Sequence, residues 1–184
     1  FYHIGSITPF SYPEPFFRAL RQVIDKNPAL VKKLRIRFVG QSFITDFEKL
    51  IDHYHLADLI EHTGYVPHAE SIKHLQTADA LVLIALGREG ANFIPGKTFE
   101  YLAVQKPILA ITNVRETEAF LKPYTLATIH GPGDLLSIAT SIENIVGQRK
   151  QAQAADQEYI KQFDRIRQTE KLAEILNSIT RKRI

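Results

Sequence analysis

The sequence predicts an α/β fold: a doubly wound, Rossmann-like parallel sheet of six strands with helices on both faces. Three observations carry this. Short β-rich apolar runs alternate with helical patterns along the chain. The runs are nearly continuous in apolar residues, as in strands covered on both faces. A length of 184 residues suits one domain with a sizeable core.

Taken in order, the first strand lies in "YHIGSI", around residues 2 to 7, and a helix with Phe17, Leu20 and Ile24 on one face follows it. "LRIRFVG", around 34 to 40, is the second strand, followed by a helix carrying Phe47, Leu50, Ile51 and Tyr54. The third, "LIEHTGYV" around 59 to 66, precedes a helix that starts near Ala69 and carries Ile72 and Leu75. "ALVLIA", around 80 to 86, leads into "GKTFEYLAV" with Phe99, Leu102 and Ala103. "PILAIT" and "LATIHG", around 107 to 112 and 126 to 131, complete the sheet. A closing helix from about 150 to 180 places Tyr159, Phe163, Ile166, Leu172, Leu176 and Ile179 on a core face. Ligands of such sheets bind at the carboxyl ends of the strands.

Composition excludes several classes. With no Cys there is no disulfide framework, thiolate nucleophile or Cys-ligated zinc, and no apolar run approaches a bilayer span. The chain is expected to be soluble and cytoplasmic. It opens as a strand already under way, without Met, and reads as a fragment of a longer protein. Residues 147 to 184 hold nine Lys/Arg against five Asp/Glu, while the first 146 hold 14 against 15. Only the terminal "RKRI" is dense in cations, so no nucleic-acid surface is expected.

The stretch between the fourth and fifth strands concentrates the chemistry. Ala91, four residues, then Gly96, Lys97 and Thr98 satisfy a loose phosphate-loop pattern. Phe93, Ile94 and Pro95 lie where that loop needs small residues and free N–H groups, and no later strand ends in an Asp for magnesium. Triphosphate hydrolysis is therefore disfavoured. A different use is coherent: Pro95 and Gly96 open a helix whose first N–H groups can meet a phosphate, with Lys97 and Glu100 sharing one face. A cation for phosphate and a carboxylate for paired hydroxyls, one turn apart, match a nucleoside diphosphate.

The segments "HTGYVPHAESIKHLQTADALVLIA" and "IPGKTFEYLAVQKPILAI" resemble the C-terminal, donor-binding half of glycosyltransferases with the GT-B fold, especially the retaining family-4 type. The resemblance spans nearly the whole chain and is most specific from about residue 61 to 111. It implies a nucleotide-sugar donor, an N-terminal acceptor-binding domain of the same protein outside residues 1 to 184, and transfer with retention in polysaccharide or glycoconjugate synthesis. No metal or other cofactor is implied, and the full-length enzyme would be cytoplasmic or peripheral at the inner face of the membrane.

Residue by residue, the resemblance assigns Glu100 to the ribose hydroxyls and Lys97 to the diphosphate or sugar. Gly96 and Thr98 would offer N–H groups, and Thr98 its hydroxyl, to the phosphates. Tyr65, Val66 and Pro67 would border the base, and Gly5 and Ser6 would lie beneath the diphosphate. A catalytic base would come from the other half.

Two departures stand out. Family members often carry two glutamates separated by seven residues, the first near the donor sugar, and here that position is Asn92. The loop after the first strand often supplies Arg and Lys to the diphosphate, whereas "GSITPFSYPEP" offers only Ser6, Thr8, Ser11 and Tyr12. Lys97, with Arg88 or Arg18, would then neutralise most of that charge. Seven histidines match no zinc spacing, and His68 is the one nearest the ligand end. Two other readings stay open: a non-catalytic nucleotide-binding regulatory domain, and half of a nucleotide-sugar epimerase.

Overall fold

The computed structural model describes residues 1–147 and 154–181. Six strands, β1 (Tyr2–Ile4), β2 (Ile36–Val39), β3 (Ile60–His62), β4 (Leu81–Ala85), β5 (Ile108–Thr112) and β6 (Ala127–His130), form one sheet in the order β3-β2-β1-β4-β5-β6. Every pairing is parallel. Each strand falls inside the run expected for it. The order reverses between β1 and β4, which makes the carboxyl side of that junction the crevice where such sheets bind ligands.

Helices cover both faces. On one, α1 (Glu14–Lys26), α2 (Phe47–His53) and α6 (Leu135–Gly147) pack Phe16, Leu20, Phe47, Leu50, Ile138 and Ile142 against Phe38, Val82, Ile84 and Ile111. On the other, α3 (His68–Thr77), α4 (Lys97–Ala103) and α5 (Arg115–Leu121) pack Leu75, Tyr101, Leu102 and Leu121 against Ile4, Leu83, Ile108 and Ala110. Alternate residues of one strand serve opposite clusters, which is why the strand runs are apolar throughout.

The structure corrects several expectations. Helices α5 and α6 form where no helix pattern was assigned. Ala103 is exposed, and Phe99 is 41% exposed because it joins an aromatic cluster with Phe120 and Phe163 at the edge of the core. The closing helix is two helices, α7 (Ala154–Lys161) and α8 (Arg165–Arg181), separated at Asp164. There the Asp164 carboxylate accepts the N–H groups of Ile166 and Arg167 and starts α8 afresh. Tyr159 and Phe163 pack on the core, but Ile166, Leu172, Leu176 and Ile179 are 72, 55, 55 and 52% exposed because nothing among the described residues covers them. Expected helical positions 150–153 and the last residues of "RKRI", 182–184, lie outside the described residues. No helix among the described residues is long and apolar enough to cross a membrane.

Candidate functional site

The crevice is opened by side chains that interrupt a ladder. Strands β1 and β4 pair at Tyr2 and Leu81, and the Tyr2 N–H donates to the Ala80 carbonyl at 2.9 Å. The next bond of a parallel ladder would join the Ile4 N–H to the Val82 carbonyl. Instead, the Ile4 N–H donates to the Tyr101 hydroxyl at 2.7 Å, and the Val82 carbonyl lies 3.0 Å from His3 Nδ1. The strands thus part toward their carboxyl ends with the Ile4 N–H and the Val82 carbonyl each given a side-chain partner.

Beyond the parted ends lies a floor of close backbone approaches. Gly5 has φ +110°, and a Cβ there would meet Lys97 Cε at 2.9 Å and Nζ at 3.0 Å. Gly40, after β2, has φ +137°, and a Cβ there would meet the Gly5 carbonyl oxygen at 2.6 Å. Both positions need glycine on conformation, and Gly40, which abuts backbone, needs it on space as well. Over this floor reaches Lys97, whose Nζ lies 3.0 Å from His3 Nε2 and donates to the Ser6 carbonyl at 3.3 Å. Burial lowers the Lys97 pKa to about 8, partly opposed by the carboxylate of Glu100.

The site residues expected from the sequence separate into three groups. Gly5, Ser6 and Lys97 come together, Gly96 precedes Lys97 in the chain, and the N–H groups of Ser6, Gly96 and Lys97 have no acceptor among the described residues. Glu100 is partly exposed one turn along α4 and makes no side-chain hydrogen bond or ion pair among the described residues. Thr98 differs from expectation: its N–H is taken by the Pro95 carbonyl at 2.9 Å, and its hydroxyl is fully buried without a partner among the described residues. It faces the protein interior because the first turn of α4 closes on Pro95.

The third group lies at the margins. Tyr65 is 77% exposed at the end of β3, Val66 packs in the same cluster as Tyr101, and Pro67 precedes α3. Asn92, with its amide nitrogen turned toward Glu116, donates to both carboxylate oxygens at 3.0 and 2.6 Å. The pair lines a groove of about 410 Å³ with Arg88, Asn113 and Arg115. Sequence reasoning missed Glu116 because α5 shows little apolar periodicity, and missed His3 because a lone His in a strand carries no motif.

Of the hydroxyls expected near the diphosphate, those of Thr8, Ser11 and Tyr12 are committed elsewhere. Ser11 accepts the Thr8 N–H at 2.9 Å, and Tyr12 donates to Asp46 at 2.7 Å, which holds its phenol at about 12. Arg18 is exposed on α1 and Arg88 on the groove rim, so Lys97 is the cation that reaches the floor. The segment between β4 and α4 is itself held at three points. Leu86 donates to the Phe10 carbonyl at 2.7 Å, Asn113 pairs with both backbone groups of Gly87, and Thr117 donates to the Phe93 carbonyl at 2.7 Å. Among the described residues no three His, Asp or Glu side chains gather to hold a metal ion.

Solved structures that share this architecture include glycosyltransferases. HepE from Anabaena, determined in complex with UDP, superposes with a TM-score of 0.72 at 15% identity over 96% of this chain and 48% of its own. The described chain has the fold of one half of a GT-B enzyme. WaaB, a lipopolysaccharide outer core galactosyltransferase, gives a TM-score of 0.70 at 13% identity over 96% of this chain and 48% of its own. Sucrose-phosphate synthase from Thermosynechococcus elongatus gives 0.67 at 15% identity over 98% of this chain and 46% of its own. The chain thus spans about half the length of these structures. No protein-family model matches the sequence, and no curated protein does.

Proposed function

We propose that this chain is the donor-binding half of a glycosyltransferase, and that it holds a nucleoside-diphosphate sugar for transfer to an acceptor, with retention, in polysaccharide or glycoconjugate synthesis. The observation that carries the reading is the placement of the Lys97 ammonium over Gly5, at the crevice between β1 and β4. An ammonium beside N–H groups without an acceptor among the described residues would stabilise the charge that grows on a departing diphosphate. No metal enters this scheme. Glu100, one turn along α4, takes the ribose hydroxyls, and Tyr65 to Pro67 border the base.

The acceptor and the remaining catalytic groups would come from a second, N-terminal domain of the same protein. The apolar face of α8, uncovered among the described residues, and the match to about half the length of HepE support this. The full-length enzyme would act in the cytoplasm or at the inner membrane face.

Calorimetric titration of the chain with UDP, GDP and ADP, and with their sugar conjugates, tests the reading. Binding of one base series without sugar transfer is expected. Binding of none of them, or robust transfer by this chain alone, refutes it.

A further inference from the structure

We propose that His3 is the positioning residue for the Lys97 ammonium: its ring, anchored on the Val82 carbonyl, holds the amine over Gly5 for a diphosphate. This rests on the donor-binding reading above and goes beyond it by naming a residue outside the motif.

The protonation pattern follows from the partners. Val82 offers a carbonyl oxygen, which only accepts, so Nδ1 carries the ring proton. The Ser6 carbonyl also acts on the ring, but a Lys ammonium only donates, so at 3.0 Å Nε2 presents its lone pair to Lys97 and the Ser6 carbonyl is left to the amine. The imidazole is therefore neutral and of one tautomer. Complete burial and the neighbouring Lys97 charge keep it so, holding its pKa well below the usual value. The ring also packs against Phe38 in a tilted contact, centroids 5.3 Å apart, which limits its freedom to turn.

On the lysine side, two of the three ammonium protons are committed, one to His3 and one to the Ser6 carbonyl. The third is left for a ligand. The other charged group acting on the amine is Glu100 from its own helix, and the nearby Tyr101 hydroxyl is occupied by Ile4. The loop from Gly5 to Pro15 supplies no Arg or Lys, so a single buried cation serves the floor, and its aim matters correspondingly. A flexible four-carbon stem would otherwise spread that charge over many rotamers.

Two substitutions separate positioning from a merely structural role, because Asn and Gln reproduce different halves of the ring. His3→Asn keeps a donor near the Nδ1 position for Val82 and deletes the acceptor for Lys97. His3→Gln places an acceptor near the Nε2 position and leaves Val82 unpaired. If His3 positions Lys97, affinity for the tightest-binding of UDP, GDP and ADP falls about tenfold or more in His3→Asn and is largely retained in His3→Gln, since a hydrogen bond to a charged group is worth at least a factor of ten.

A ligand-free readout runs beside it: the Lys97 ε-amine followed by NMR should titrate about one pH unit lower in His3→Asn, and near the wild-type value in His3→Gln. Wild-type affinity and titration in His3→Asn, or the reverse ranking of the two variants, overturns the proposal. Should the wild type bind no nucleoside diphosphate while the titrations behave as expected, the donor-binding reading fails and the positioning of Lys97 by His3 stands.

Discussion

The Tyr101 phenol is bonded twice to the backbone of Ile4, accepting its N–H at 2.7 Å and donating to its carbonyl at 3.1 Å. A helix side chain thereby takes the place of a strand partner, and β1 is held away from β4 where the ligand crevice opens. The hydroxyl is fully buried, and its pKa is raised by that burial, so it keeps its proton at any working pH.

Tyr101→Phe keeps the ring and leaves both Ile4 groups buried and unpaired. A loss of about 1–3 kcal/mol of folding stability is expected, read by urea denaturation. Diphosphate affinity should fall with it, because Gly5 follows Ile4 directly. An unchanged midpoint would show that water or a shifted β1 satisfies these groups.

Lys97 gives opposite pH signs for stability and for binding. Its folded pKa, about 8, lies below the ordinary 10.5. Between those values the unfolded chain binds the extra proton, so this group makes folding stability rise with pH across that window. Diphosphate affinity requires the ammonium and should fall as pH rises through about 8. Lys97→Met removes both dependences. Titrations and denaturation curves from pH 7 to 10, compared with that variant, check the two signs.

Gly40→Ala tests the floor. The new methyl group would sit 2.6 Å from the Gly5 carbonyl oxygen, at a backbone φ of +137° that L residues rarely adopt. Strain and overpacking together predict a loss of about 2–4 kcal/mol, measured by denaturation. Gly64→Ala is the control: its φ is also positive, at +69°, but nothing lies within 4 Å of the added carbon. The difference between the two variants reports the clash together with the greater strain of φ +137° over +69°.

The sequence was most legible where local pattern and burial agree. All six strands were readable because β4 and β5, buried at every position, contain no polar break before Thr112, and the flanking strands follow the same rule less strictly. Helix α6 was also readable in principle, since Leu135, Ile138, Ala139 and Ile142 recur at helical spacing. The apolar face of α8 looked like core because periodicity reports a sticky face without saying what covers it. At the candidate site, the placement of Lys97 and Glu100 one turn apart on α4 was readable from their spacing. His3, Tyr101 and Glu116 act through partners 79, 97 and 24 residues away, a distance no local pattern encodes.

Glu100 provides the most direct test of the donor site. Its carboxylate is partly exposed, lies one turn from the Lys97 amine and makes no side-chain hydrogen bond among the described residues, so both oxygens are open to a ligand. If they accept the two ribose hydroxyls, Glu100→Ala removes two charge-assisted contacts worth about 1.5–3 kcal/mol each. Nucleotide affinity should then fall by at least about tenfold in calorimetry. Folding stability should change by no more than about 0.3–1 kcal/mol, the contribution of a first-turn carboxylate through the helix dipole. The decisive comparison uses a 2′-deoxy nucleotide, which lacks one of the hydroxyls. It should bind the wild type more weakly than the ribonucleotide and lose most of that disadvantage in the variant, where the partner of the missing hydroxyl is gone too. A variant that keeps the wild-type preference for ribose would place the sugar hydroxyls elsewhere and remove Glu100 from the site.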